Sequence, residues 1–193
     1  MTFKLAFKYL FRLFLLAILV ISIYLINLFF MKPFSIDHFL AKETFLEIVD
    51  SPESMTYIGI FDKYNWFTGH ASKLTIPSPE KLNRDKAKAR KILETLRSYD
   101  DENLSDNQRA SKKIAIFDTE NTLLRLETFP FHEYVLNQIG GAHIDMVEFM
   151  TDTHPIRNLH EAEAYIERVR LFENVFEGHL YKLNEQRAID LSL

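Results

Sequence analysis

Two dipeptides in this chain begin like the helices that hold zinc in metallopeptidases. His132-Glu133 and His160-Glu161 each supply the first two positions of H-E-x-x-H. There, two imidazoles one helical turn apart grip the metal and the glutamate serves as base. The fifth positions are Leu136 and Ala164, so neither string carries its second ligand. His143 and His154 fall in separate segments, and for each of the seven histidines the expected role is a hydrogen-bonded or surface one. No metal-ligand set, cofactor site or catalytic residue is therefore assigned within the chain. With no cysteine there is no disulfide, thiolate ligand or thiol nucleophile. A phosphate-cradling glycine loop, a G-x-S-x-G elbow and a dinucleotide fingerprint are likewise missing from the sequence.

A second string has the residue types for phosphoryl chemistry. Ile114-Ala115-Ile116-Phe117-Asp118-Thr119-Glu120-Asn121-Thr122 resembles the first motif of haloacid-dehalogenase-type phosphatases, a strand followed by D-x-D-x-T. That resemblance implies Asp118 as nucleophile, with the next carboxylate as acid and base beside a magnesium ion. The second carboxylate is Glu120, one methylene longer than the motif, and the 75 residues after Asp118 read as helix. A capped helix from Ser105 to Leu124 accounts for the same residues, and the phosphatase stays a remote alternative. Lys81 to Lys91 carries six basic residues, balanced by Glu80, Asp85 and Glu94, and reads as a solvated face.

The charge layout sets where such residues would sit. The first 32 residues hold Lys4, Lys8, Arg12 and Lys32 and no acid. Those four leave 19 of the 23 basic residues for the remainder, against all 27 acids, a net of −8. An acidic body argues against nucleic acid as a partner. From Leu13 to Met31 nineteen residues pass without a charge. At 1.5 Å per residue this is a helix of roughly 28 Å, about the hydrocarbon thickness of a bilayer. The preceding Lys4, Lys8 and Arg12 keep the amino terminus cytoplasmic by the positive-inside rule. No small-residue cleavage pair follows, since the run continues into Phe29-Phe30-Met31-Lys32-Pro33. The expected organisation is a basic tail over 1–12, a single-pass inner-membrane anchor over 13–31 and an extracytoplasmic domain over 32–193. Asn27 is expected at the outer interface, hydrated.

The body reads as mostly α, an irregular multi-helix bundle without substantial sheet. Ser51-Pro52-Glu53 and Ser78-Pro79-Glu80 each give a capping hydroxyl, a first-turn proline and an acid at the positive helix end. Ser105 with Gln108, and Asn158 with Glu161, have capping-box spacing. Apolar residues recur at helical period along Leu82–Tyr99, along Ala110–Ile114–Phe117–Leu124, and from Ala162 through Leu183. Ser35 to Val49 gives a short helix, Asp62 to Pro79 a long loop, and Asn137-Gln138-Ile139-Gly140-Gly141 a break. The last helix starts near Asn158 and shows no stop signal.

Phe131 to Phe172 carries the distinctive pattern. It contains Tyr134, Asn137, Gln138, Gly140, Phe149, Thr153-His154-Pro155-Ile156, and then Ala162, Tyr165, Ile166, Arg168 and Val169 on one helix. Upstream stand Ser51-Pro52-Glu53, Thr56, Tyr57 and Gly59. In order and spacing this resembles the amino-terminal part of a bacterial family catalogued as domain of unknown function 885. The resemblance implies a large, mostly helical protein like a zincin-type metallopeptidase, with an H-E-x-x-x-G-H zinc motif in a carboxy-terminal half beyond this sequence. It also implies that Tyr134, Asn137, Gln138, Gly140, His154, Pro155, Tyr165 and Arg168 line a cleft or hold its walls. From the residues alone, Asn137-Gln138 can bond the backbone of the turn before Gly140, and His154 before Pro155 is biased to extended backbone. The expected function is a membrane-anchored, truncated member without the zinc centre, inactive alone, and either a gene remnant or the first piece of a split enzyme whose catalytic half is separately encoded. The alternative is an anchored helical protein-interaction module.

Overall fold

The computed structural model describes residues 3–128, 130–131, 135–136 and 140–190, with side chains described from 7 to 189 within those ranges. The body is helical, as its capping pattern predicts, and the described residues contain no strand, only an isolated bridge between Leu136 and Gly141.

Helix α1 runs Phe3–Phe30, and its Phe7–Phe30 portion is long and apolar enough to cross a membrane. It starts ten residues before the uncharged run, so Lys4, Lys8 and Arg12 ride on the helix. Asn27 departs from expectation. Rather than meeting water it is 5% exposed, donating to Lys32 O at 2.9 Å and accepting from the Phe34 amide at 2.9 Å. Its side chain thus ties down the backbone of the turn leaving α1, satisfying groups that a helix end leaves open.

Helix α2 (Ile36–Asp50) follows, capped by Ser35 Oγ, which accepts from the Asp37 amide at 3.2 Å. Its first turn meets α1 where His38 stands edge-on to Tyr24, ring centres 5.5 Å apart. Helix α3 (Pro52–Ile58) is capped by Ser51, whose Oγ takes the Ser54 amide at 3.1 Å, and it closes on Gly59 at φ 70°. That left-handed closure needs a residue without Cβ strain.

The stretch expected as a long loop contains short helical turns. A 3-10 turn at Asp62–Tyr64, helix α4 (Asn65–Thr68) and a 3-10 turn at His70–Ser72 precede an extended run to Ser78. Helices α5 (Pro79–Arg97) and α6 (Asp106–Thr128) then form the most extensively packed pair. Ser105 and Gln108 complete a reciprocal capping box at the start of α6, with bonds of 3.0 and 3.3 Å.

One core lies where α2, α5 and α6 meet: Ile36, Phe39, Leu96 and Tyr99, with Ile92, Ala115 and Ile116 around them. Tyr99 also donates to Pro33 O at 2.7 Å, and Lys32 Nζ sits over its ring while donating to Ser98 O. The exit of α1 is therefore bolted to the end of α5.

Helix α7 (Ala142–Glu148) runs into a π-helical turn, Phe149–Thr153. The helix expected from Asn158 onward is two. Helix α8 (Leu159–Arg170) ends at Leu171, whose amide is shared between the Glu167 and Arg168 carbonyls, and α9 (Phe172–Asp190) sets off anew. At Gly178 a Cβ would lie 2.2 Å from Pro77 O, so α9 presses backbone-close on the extended run.

Candidate functional site

Arg168 is the largest fully buried side chain among the described residues. Helix α8 places it there because Ala164 and Arg168, one turn apart, share its inner face. The N-terminus of α8 is fixed by Asn158 Oδ1, which accepts from the Glu161 amide at 3.0 Å. The Glu161 carboxylate does not complete a capping box. It takes the Arg157 amide at 2.6 Å and the Arg157 guanidinium instead.

Among the described residues no carboxylate touches the Arg168 guanidinium. Nε donates to Lys73 O at 2.9 Å, Nη1 meets His154 Nδ1 at 2.7 Å, and Nη2 donates to Thr56 Oγ1 at 2.7 Å and His70 O at 2.9 Å, with Pro52 O at 3.3 Å. The Phe149 ring lies 4.9 Å from the guanidinium carbon, a cation–π contact in a dry setting. Burial pushes the Arg168 pKa down to about 10, against the pull of Glu53 and Asp62. It still carries its proton at neutral pH. A charge this buried is tolerated because its donors are used.

His154 is held by the same contact. Its ring stands edge-on to Tyr165 at 5.3 Å, and Nε2 lies 3.3 Å from Glu161 O. Pro155 follows, and His154 adopts the extended backbone (φ −71°, ψ 117°) that a following proline favours. Burial first, then the Arg168 charge, lower its pKa against pulls from Glu161 and Asp62.

Beside them His70 is 2% exposed. Its Nδ1 is 2.7 Å from Thr68 Oγ1, and Nε2 has no hydrogen-bond partner among the described residues, with Asp62 Oδ1 at 3.6 Å. Hydroxyl, imidazole and carboxylate stand in the order that nucleophilic catalysis uses. However, the Thr68 hydroxyl is also 3.3 Å from Tyr64 O. Asp62 is itself engaged with Arg157 at 2.8 Å. The group ties the loop to α8.

An open cleft of about 440 Å³ adjoins this node, with Glu53, Thr75, Asp145, Phe149, His179 and Lys182 on its walls. A second hollow of about 180 Å³ shares Thr75 and Lys182 with it. Glu53 is not free there, since its carboxylate takes the Thr75 amide at 2.6 Å and hydroxyl at 2.7 Å. His179 Nδ1 is buried without a partner among the described residues, and its pKa is lowered by burial and by Lys182. Gly141, at φ 118°, forms part of the wall.

The structure brings His154, Pro155, Tyr165 and Arg168 together with Thr56 of the upstream pattern. Gly140 stands beside the cleft's Gly141, while Tyr134, Asn137 and Gln138 lie outside the described residues, as does His132. Asp118 and Glu120 come out differently from the phosphatase expectation. They sit in the middle of α6, not at a strand tip, with Asp118 exposed and Glu120 paired to Arg97 at 2.6 Å. The capped helical period of that segment wins over the motif likeness. Among the described residues no three His, Asp or Glu side chains gather as a metal would need. His70 and Asp62 are the participants that the sequence did not disclose, because no spacing rule links them to Arg168.

Residues 52–191 match the sequence model of one family, described as "Bacterial protein of unknown function (DUF885)". No curated protein and no solved structure matched the chain.

Proposed function

The chain belongs to the DUF885 family of bacterial proteins, and on that premise we propose that it is a membrane-anchored, non-catalytic half of a zincin-like peptidase. In this reading α1 spans the inner membrane with its amino terminus in the cytoplasm. The body stands outside and frames a cleft whose zinc and catalytic glutamate belong to the carboxy-terminal half of the zincin-like architecture. The Arg168 node then works as a clamp: one guanidinium holds α3, the Lys73 loop and the His154 turn in register, and so fixes the cleft wall.

One observation carries the proposal. Helix α6 is apolar on two sides. Ala115 and Ile116 face its own core, while Ile114, Phe117 and Leu124 form a stripe that is 69%, 68% and 56% exposed. A monomeric helix seldom leaves such a stripe to water. Ile166, Val169, Phe176 and Leu180 on α8 and α9 are exposed too. These are faces suited to a further helical layer.

Co-expression with the carboxy-terminal half of a longer relative, the part bearing H-E-x-x-x-G-H, tests this. The two should co-purify, with zinc retained by the second half alone. Failure to co-purify, or stoichiometric zinc on this chain by itself, would refute the reading. The interaction-module alternative gains if an unrelated helical protein, and not that half, binds the stripe.

A further inference from the structure

The segment from Tyr57 to Phe67 has its polarity turned inside out. Tyr57, Ile60, Tyr64, Trp66 and Phe67 are exposed, with Tyr57, Trp66 and Phe67 at 78%, 80% and 79%. Its polar side chains are spent inward. Asp62 reaches Arg157 at 2.8 Å and faces His70. Asn65 Oδ1 accepts from the Ala71 amide at 3.0 Å, and its Nδ2 meets His160 Nε2 at 3.1 Å. Left-handed Gly59, within the segment, and Gly69, two residues past its end, fix its turns. The aromatic side chains are thus held outward by a built frame, and the one acid among them is sequestered. Lys63 remains exposed.

Tryptophan, tyrosine and lysine together are the chemistry of the bilayer interface, where amphipathic rings sit at the headgroup level. We infer that this aromatic loop is a second membrane contact, lying in the headgroup layer of the bilayer that α1 crosses. The inference rests on α1 being a span, as proposed above.

Distance permits it. His38 on α2 touches Tyr24 of α1, and Phe45, seven residues on, touches Phe61 with ring centres 6.3 Å apart. Seven helical residues cover about 10 Å. With the two ring contacts added end to end, Phe61 lies about 22 Å along this path from Tyr24. An interfacial layer about 5–8 Å deep on each side of the hydrocarbon lies inside that range. A loop whose exposed rings reach this layer gives the body two attachments and so a fixed tilt. The α6 stripe plays no part in this contact and stays available to a protein partner.

The chain's single tryptophan is Trp66, so its fluorescence reports on this loop alone. The full chain is reconstituted in vesicles of phosphatidylcholine with phosphatidylglycerol, part of the lipid carrying bromine at a shallow or a deep acyl position. The expected result is blue-shifted Trp66 emission, stronger quenching by shallow than by deep bromines, and protection from aqueous iodide. The double variant Tyr57→Ser/Phe67→Ser should lose much of the lipid quenching with its helical circular dichroism unchanged. Carbonate extraction of the same vesicles separates the two claims. A chain that is extracted overturns both the span and the loop contact. A chain that resists extraction while Trp66 stays open to iodide, or is shielded from iodide and lipid bromine alike, overturns the loop contact and leaves the span standing.

Discussion

Arg168 Nη1 lies 2.7 Å from His154 Nδ1, and only one of the two can be the donor. A guanidinium has no acceptor, so Nδ1 must carry the lone pair and His154 must be the neutral tautomer protonated at Nε2. That proton then points at Glu161 O, 3.3 Å away. Imidazole nitrogen NMR should show a deprotonated, hydrogen-bonded Nδ1 on His154 at neutral pH. A protonated Nδ1 would mean that the node is assembled differently.

The same geometry makes stability depend on acid. His70, His154 and His179 all have pKa values lowered from 6.5, chiefly by burial. The unfolded chain therefore takes up protons first as pH falls. Their contribution is fully present above 6.5 and is lost as pH drops from there toward the lowered native values. Each proton taken up on unfolding adds a slope of up to about 1.4 kcal/mol per pH unit. Urea midpoints in detergent should fall between about pH 7.5 and 5. His154→Gln should flatten that fall; an unchanged profile would count against the assignment.

Removing the clamp should be costly. Arg168→Met leaves His154 Nδ1, Thr56 Oγ1 and Lys73 O without their donor, while His70 O keeps the Lys73 amide and Pro52 O keeps the Thr56 hydroxyl; each buried acceptor so stranded costs about 1–3 kcal/mol. A loss of roughly 3 kcal/mol or more is expected from denaturant titration. Arg168→Lys should recover only part, because an ammonium cannot span acceptors on three segments. A loss below about 1 kcal/mol for Arg168→Met would show that the node is not what joins them.

Gly178→Ala should destabilise, reversing the usual preference. In an open helix interior alanine is favoured over glycine by about 1 kcal/mol. Here its Cβ would sit 2.2 Å from Pro77 O, a backbone atom with no rotamer to move. Overpacking of this kind costs about 1–3 kcal/mol. A raised melting temperature for the variant would contradict the close approach.

Much of this architecture was legible because the signals are local. Ser51-Pro52-Glu53 and Ser78-Pro79-Glu80 mark helix starts through their own backbone amides, and the bonds to Ser54 and Lys81 follow. Orientation was not legible on α6. Ile114 and Phe117 keep helical period whether they face the chain's own core or another protein, and the pattern cannot tell which side Ala115 and Ile116 will claim. The node was half legible. Thr56, His154 and Arg168 stand out in the family-like pattern. Their meeting could not be read, since Thr56 lies 112 residues from Arg168 and the energy comes from burial. The break at Leu171 was hidden because apolar period continues through it.

Charge on the outer stripe should separate folding from association. Ile114→Glu with Phe117→Lys alters exposed positions, so stability should move by no more than about 0.5 kcal/mol each. Binding to a carboxy-terminal half should be lost.

Isothermal titration of the full chain, in detergent, with the carboxy-terminal half of a longer relative is the most direct measurement. A scaffold half should bind it one to one, with a negative heat-capacity change from apolar burial, and Ile114→Glu/Phe117→Lys should abolish the heat. No binding by the unaltered chain, or equal binding by the double variant, would contradict the account.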